Sequence, residues 1–331
     1  MSPRKPYSSP GKPTIVGQVL DNMNVPVRKV TTLTESQIRI LQKARSIAEG
    51  DPFEQNLGFT TPILVQANLP HSNPGNDRRM WGRHNGTFSL TIQPRAYFTA
   101  TGEERIIGYP YGSMPRLIMI YLCSEAVRTQ SPHIELGTSL AEFLQKVGIG
   151  EATGGRWGTV TRFKDQLHRL LTCHITFRLD REINGQAITL DKDASMARET
   201  CLWWDPKNPE QTSLFNNYIR LNKDFYEEII ARPIPLNFDA ILALKQSPLA
   251  LDLYTWLNYR VSYLRKPTRI TWGQLQQQVG SDYNDLKNFK RKAKEAMRKI
   301  QALWPGLKIT DGRGAFVLGP CSPQVPRTKL L

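Results

Sequence analysis

The chain has 331 residues, of which 44 are Lys or Arg and 29 Asp or Glu, giving a formal charge of +15. That length suits about two domains of roughly 150 residues each, and the basic surplus favours a polyanionic partner. The apolar run Leu117–Cys123 is far too short to cross a bilayer, and the basic start MSPRKPYSSPGKP lacks the apolar stretch of a secretory signal, so a cytoplasmic protein without a membrane role is expected.

Residues 1–30 hold five prolines and five basic residues with no period, and read as a disordered arm. Thr34-Glu-Ser-Gln37 has the form of a capping box opening a helix to about Ala48, which Gly50-Asp51-Pro52 ends. Residues 53–82, rich in Pro, Asn and Gly, read as irregular. Thr87–Gln93 alternates like a strand.

From Gly112 the periodicity sharpens. Leu117, Ile118, Tyr121, Leu122 and Ala126 form one helical stripe. Leu140, Phe143, Leu144 and Val147 form a shorter one. After the glycine-rich loop Gly150–Gly158, Val160, Phe163, Leu167, Leu170 and Leu171 form a third. His174–Leu179 and Ala187–Leu190 flank Asn184-Gly185, a hairpin signal. Residues 191–212 read as sheet edge or connector, Leu214–Leu221 as a strand with a short helix to Ile230, and Pro233 and Pro235 as a domain boundary. A second run of the same order follows: helices over Leu249–Leu264, Trp272–Val279 and Tyr283–Leu303, then Leu307–Thr310 and Ala315–Leu318 around Asp311-Gly-Arg-Gly314.

The order of helix, short helix, longer basic helix and hairpin occurs twice. FKDQLHRLL from Phe163 and FKRKAKEAM from Phe289 occupy matching places, each after a segment ending in Val-Gly (Val147-Gly148, Val279-Gly280). This is the order of a winged helix-turn-helix, and two copies in a basic chain point to a reader of duplex DNA. The expected fold is α+β: two tandem winged-helix domains, each a helix-turn-helix with a β-hairpin wing, behind a basic disordered N-terminal arm. The expected divisions are 1–52 (arm and helix), 53–232 (first winged helix, with a dimerisation role), 233–320 (second winged helix) and 321–331 (tail).

A recognition helix buries one face and offers donors on the other. At about 100° per residue, Leu286, Phe289, Ala293, Ala296, Met297 and Ile300 share one side. Asn284, Lys287, Asn288, Arg291, Lys294 and Arg298 share the opposite side. Seven basic against two acidic residues between Tyr283 and Leu303 make this helix the stronger DNA candidate. Asn suits adenine and Arg or Lys suits guanine, with Lys294 and Arg298 placed deeper, towards phosphate. In the first unit the same wheel exposes Thr161, Arg162, Asp165, His168, Arg169 and Thr172, with Asp165 where the second has Arg291. Arg156 and Arg162 are its best contacts, with Thr161 and Arg169 beside them. Wing residues Lys308 and Arg313 complete the set of DNA candidates.

Catalytic signatures are sparse. There is no G-x-x-x-x-G-K-[ST] phosphate loop and no His-x-His pair. Asp191 and Asp193 form a D-x-D spacing used for two-metal chemistry, but they follow an expected wing and lack partner carboxylates. Cys123, Cys173, Cys201 and Cys321 form no C-x-x-C pair and read as free thiols, and His168 and His174 read as satisfied helix-end histidines. A non-enzymatic binder without cofactor or metal is expected.

The segment YPYGSMPRLIMIYLCSEAVRTQSPHIELGTSLAEFLQKVGI, Tyr109–Ile149, resembles plasmid replication initiators of the RepA type. Its specific part is Pro110-Tyr-Gly-x-x-Pro-Arg116 followed by Ser124–Thr129. The resemblance continues through Arg162–Leu171 and Ser247–Val261 and covers roughly 87–320. It implies tandem winged helices that bind iterons at a plasmid origin, help open the duplex, and recruit the host initiator, the replicative helicase and its loader. It also implies a monomer–dimer equilibrium in which dimers repress the initiator's own gene at an inverted repeat. A winged-helix transcriptional repressor without an initiation role is the alternative reading.

Overall fold

Helix α1 (Glu35–Glu49) begins as its capping box requires: Thr34 Oγ1 accepts from the Gln37 amide, and the Gln37 side chain accepts from the Thr34 amide. The computed structural model describes residues 34–50, 56–66, 68–183, 186–205, 207–213, 216–279, 283 and 285–326. The expected basic arm, the Asn184-Gly185 turn and Asn284 lie outside the described residues.

The described residues within 53–82 form more regular structure than their composition implied. Strand β1 (Leu57–Thr60) pairs antiparallel with β11 (Ile234–Asn237), Phe59 opposite Pro235. A short helix α2 (Pro62–Gln66) follows, and Trp81 already belongs to β2 (Trp81–Asn85). Composition misleads here because the strand that stabilises β1 lies far along the chain, and local sequence carries no trace of that pairing. Beyond β2 come β3 (Phe88–Gln93) and a small hairpin, β4 (Ala96–Phe98) with β5 (Glu104–Ile106).

Helix α3 (Ser113–Thr129) is apolar on every side over its central run, where Leu117 through Cys123 are all buried. A helix hydrophobic all round belongs in the middle of a core, and α3 packs against β1, α5, α6 and α8. It leads to β6 (His133–Gly137), α4 (Leu140–Lys146) and α5 (Thr159–Thr172), then to the strands β7 (His174–Ile183) and β8 (Gln186–Ala194). Strands β2, β3, β7 and β8 form one antiparallel sheet in that order. Strand β9 (Ala197–Cys201) lies within the stretch read as sheet edge or connector. With β10 (Asn217–Leu221) and β6 it forms a second sheet, in the order β6-β10-β9.

After α6 (Lys223–Ala231) and β11 comes α7 (Phe238–Leu244), then α8 (Pro248–Val261). The helix α8 stops three residues before the expected Leu264. Strand β12 (Thr268–Thr271) leads to α9 (Trp272–Val279), where Thr271 and Gln274 exchange side-chain to amide hydrogen bonds. Helix α10 (Leu286–Leu303) and the strands β13 (Ile309–Gly312) and β14 (Ala315–Leu318) complete the second run, in a sheet ordered β12-β14-β13. Both runs therefore read helix, strand, short helix, long helix, hairpin, with Phe163 and Phe289 both fully buried at matching places. The runs differ in strand pairing. Strand β12 joins its own hairpin, whereas β6 pairs with β10 and leaves β7 and β8 to a different sheet.

The expected tail is, in its described part, docked. Val325 is buried, and Gln324 accepts from the Tyr254 hydroxyl at 2.5 Å while donating to the Leu303 carbonyl at 2.8 Å. Proline and cysteine spacing gave no hint of this, because the contacts are made to α8 and α10. Helix α1 also packs on α7 and α10.

Candidate nucleic-acid interface

Helix α10 starts at Leu286, later than the expected Tyr283, because the Asp285 carboxylate caps it by accepting from the Lys287 and Asn288 amides at 2.9 and 3.1 Å. Phe289, Ala293, Ala296, Met297 and Ile300 are buried as the wheel required. Leu286 is not: it is 46% exposed, since the first turn projects beyond the core that receives the rest of that face.

On the outer face Lys287, Asn288, Arg291 and Arg298 are exposed. Arg291 reaches Glu295 Oε1 and Asn288 Oδ1, both at 2.8 Å. Glu295 also accepts from Lys292 at 3.1 Å, and although partial burial opposes it, Lys292 and Arg291 hold its carboxyl below the ordinary value. Arg291 is thus presented in a fixed orientation beside an amide side chain. Lys294 is differently placed. Its ammonium meets Asp311 Oδ2 at 2.6 Å and lies 5.6 Å from the centroid of the buried Trp272 ring, which fastens hairpin β13–β14 to the helix. Lys290 also stacks on Trp272, at 5.9 Å.

The hairpin turns at Arg313-Gly314, with Gly314 at φ +70°, a left-handed conformation glycine adopts without strain. Lys308 and Arg313 are exposed. The Arg313 carbonyl accepts from Arg269 Nη2 at 3.1 Å, so β12 adds a cation that periodicity could not assign to this surface. Lys287, Asn288, Arg291, Arg298, Arg269 and Arg313 are carried by α10 and the one sheet clipped to it.

The first-unit candidates separate into two groups. Thr161 and Arg162 are exposed on the first turn of α5, and the Thr161 hydroxyl donates to the Gly155 carbonyl at 2.8 Å. Arg156 lies over the ring of Trp157, which is 80% exposed. Arg169 faces inward. It pairs with Asp165 at 2.9 Å, donates to the Tyr109 carbonyl at 3.2 Å and stacks on Tyr111. The segment Gly108–Tyr111 covers that part of α5, and an ideal Cβ on Gly108 would come within 2.6 Å of the Arg169 guanidinium. Asp191 and Asp193 sit on β8, opposite Arg178 and Thr176. Among the described residues no group of three or more His, Cys, Asp or Glu side chains is placed to hold a metal ion.

One cluster was not anticipated. Arg116 and Asp252 are both buried, and form a two-pronged ion pair: Nε to Oδ1 and Nη2 to Oδ2, each 2.7 Å. Arg116 also donates to the carbonyls of Leu69 (2.6 Å), Pro70 (3.2 Å) and Gly112 (2.7 Å), so its five N–H groups meet five acceptors. His71 Nε2 lies 2.7 Å from Asp252 Oδ2. Burial pushes the Asp252 carboxyl up, but Arg116 and His71 outweigh it and hold the acid below its ordinary value. This cluster joins α3 and the 69–71 segment to α8. Its sequence signal was available: an Arg beside the apolar run of one helix and the lone Asp of another must find each other or stay out of the core.

Residues 109–274 match the model of the family described as plasmid encoded RepA protein, half of the chain. The chain belongs to that family. Its members are the RepA-type plasmid initiators that Pro110–Arg116 pointed to, and in this RepA-family chain that segment supplies the cluster's arginine. Domains 2 and 3 of RctB, in a selenomethionine crystal structure, have a similar fold, at 14% identity and a TM-score of 0.50, over 78% of this chain and 96% of that one. A second RctB structure, of domains 2–3, aligns at 13% identity with a TM-score of 0.46, over 77% and 94%. No curated protein matches the chain in sequence. Among the described residues no helix is long and apolar enough to cross a membrane.

Proposed function

We propose that this RepA-family chain is a plasmid replication initiator that binds repeated duplex sites, iterons, at its origin. Two tandem winged-helix units, 53–232 and 233–320, read the DNA. Helix α10 enters the major groove, with Lys287, Asn288 and Arg291 towards base edges and Arg298 towards phosphate. Arg313 and Lys308 follow the backbone. The first unit contributes Arg156, Thr161 and Arg162. Initiation further requires origin opening and recruitment of the host initiator, the helicase and its loader, and dimers repress the initiator's own gene.

The observation that carries this reading is the outer face of α10. A planar guanidinium, Arg291, is held beside Asn288 on an exposed helix whose opposite face is buried, and a hairpin bearing Arg313 is clipped to it through Lys294 and Asp311. Arg and Asn are the residues whose donors and acceptors match guanine and adenine edges in the major groove. Selection of bound duplexes from random DNA, at moderate salt to suppress nonspecific binding, tests it. A bipartite site spanning two major grooves about 10–11 bp apart, present as direct copies in the source replicon, is the expected result. Absence of any enriched sequence refutes origin recognition.

A further inference from the structure

Strand β9 is an edge. Among the described residues it pairs on one side only, with β10, and Arg198, Glu199 and Thr200 at its centre are exposed. An open edge presents unpaired backbone donors and acceptors, a template for another strand. Facing it is α5, and the two enclose a groove of about 560 Å³. Leu167, Leu171 and Trp204 supply apolar lining, and Arg95, Lys164 and Arg198 supply charge.

The charges in the groove do not cancel. Of its carboxylates, Asp165 is paired with Arg169, whereas Glu199 accepts from the neutral Tyr218 hydroxyl at 2.7 Å and keeps its charge, so three cations face one uncompensated carboxylate. Arg95, Lys164 and Arg198 form no ion pair among the described residues. The Trp204 ring, more than nine-tenths buried and stacked on Phe143 at 5.1 Å, lies at the base of this lining.

We propose that this groove binds an extended acidic peptide of a partner protein, which adds to the β6-β10-β9 sheet as a further strand along β9. Main-chain hydrogen bonds to the edge provide affinity, and side chains alternate along an added strand. Apolar ones fall on Leu167, Leu171 and Trp204, and carboxylates meet Arg95, Lys164 and Arg198. The proposal does not rest on the duplex-binding reading, which concerns α10 and its hairpin.

The test uses the full chain and a short fluorescein-labelled peptide of alternating glutamate and valine, read by fluorescence anisotropy. Saturable binding is expected, with affinity lowered about tenfold or more by the double variant Lys164→Glu/Arg198→Glu, because both attractions become repulsions. Both positions are exposed, and an unchanged melting temperature shows that the variant folds. The same peptide with alternate backbone amides N-methylated should not bind, and the variant should retain α10-dependent duplex binding. Absence of saturable binding, or equal binding of the N-methylated peptide, overturns strand addition. Competition by a duplex oligonucleotide, with loss of duplex affinity in the variant, makes the groove a nucleic-acid surface instead. If the peptide binds only as it dissociates a dimer of the chain, the occupant is a second copy. Either of the last two results overturns the proposal.

Discussion

Replacing Asp252 with Asn should be among the most damaging single changes in the chain. The carboxylate accepts two hydrogen bonds from Arg116 and lies against His71, all at 2.7 Å and out of solvent. Asn keeps the shape but removes the charge, and turns an amide N–H₂ towards a guanidinium that carries only donors. Removing one partner of a buried pair typically costs about 3–5 kcal/mol. Asn retains one carbonyl acceptor, so about 3 kcal/mol is expected here. Urea unfolding followed by far-UV circular dichroism measures it. Because the pair joins α3 to α8, hydrogen exchange should also rise at Leu69–His71 and at the start of α8. The pH dependence has a definite sign. The folded pKa of Asp252 is depressed, so its contribution is present above the ordinary carboxylate value and is lost as pH falls through the folded value. The gap between wild type and Asp252→Asn should therefore narrow on acidification. A loss below about 0.5 kcal/mol, the range of ordinary surface changes, or a gap that widens in acid, would refute the reasoning.

Further outcomes follow from the same geometry. Arg291→Ala should weaken specific duplex binding more than nonspecific binding, by about 1–3 kcal/mol if it contacts a base edge in two places; equal loss on both, in a gel-shift comparison, makes it a phosphate contact. Neutralising Arg298 and Arg313 together should flatten the plot of log affinity against log salt by about 0.9 for each phosphate contact removed. Lys294→Ala releases the hairpin from α10 by breaking the pair with the exposed Asp311, and should raise hydrogen exchange in β13 before it changes global stability. Truncation after Pro320 exposes the ground beneath Val325 and removes both Gln324 hydrogen bonds, at about 2–4 kcal/mol in a thermal or urea melt.

The parts of the fold that were legible are those fixed by local periodicity. Phe289, Ala293, Ala296, Met297 and Ile300 repeat at helical spacing and are buried. Thr34 and Gln37 announce a cap and make one, and Asp311-Gly-Arg-Gly314 announces a hairpin turn that β13 and β14 flank. What was not legible depends on which distant segment lies on top of which face. Arg169 sits at an outward position of its helical wheel, but the Gly108–Tyr111 segment covers it. Lys294 sits at an outward position too, and the hairpin it points towards claims it. The pairing of β1 with β11 and the docking of Gln324 and Val325 are tertiary in the same sense. The charge of a helix face can be counted from the sequence, whereas its availability cannot.

The family motif divides along the same line. Its specific segment, Pro110–Arg116, contains no side chain exposed on α10 or its hairpin. Tyr111 donates its amide to Gln166 Oε1 at 2.8 Å, Gly112 takes φ +78° at the start of α3 while its amide donates to the Pro70 carbonyl at 3.0 Å, and Arg116 closes the ion pair with Asp252. Gly112 suits a backbone conformation that side chains rarely adopt, and Arg116 suits a site with five converging acceptors. These residues hold α3, α5 and α8 together. They explain why the motif transmits an architecture, and they say nothing of which bases are read. Under the proposed duplex-binding role, sequence specificity falls to residues the motif leaves out, foremost Lys287, Asn288 and Arg291. Exchanging those three should therefore retarget DNA selection without changing stability, whereas changes within Pro110–Arg116 should lower stability and leave the selected sequence the same in whatever protein remains folded.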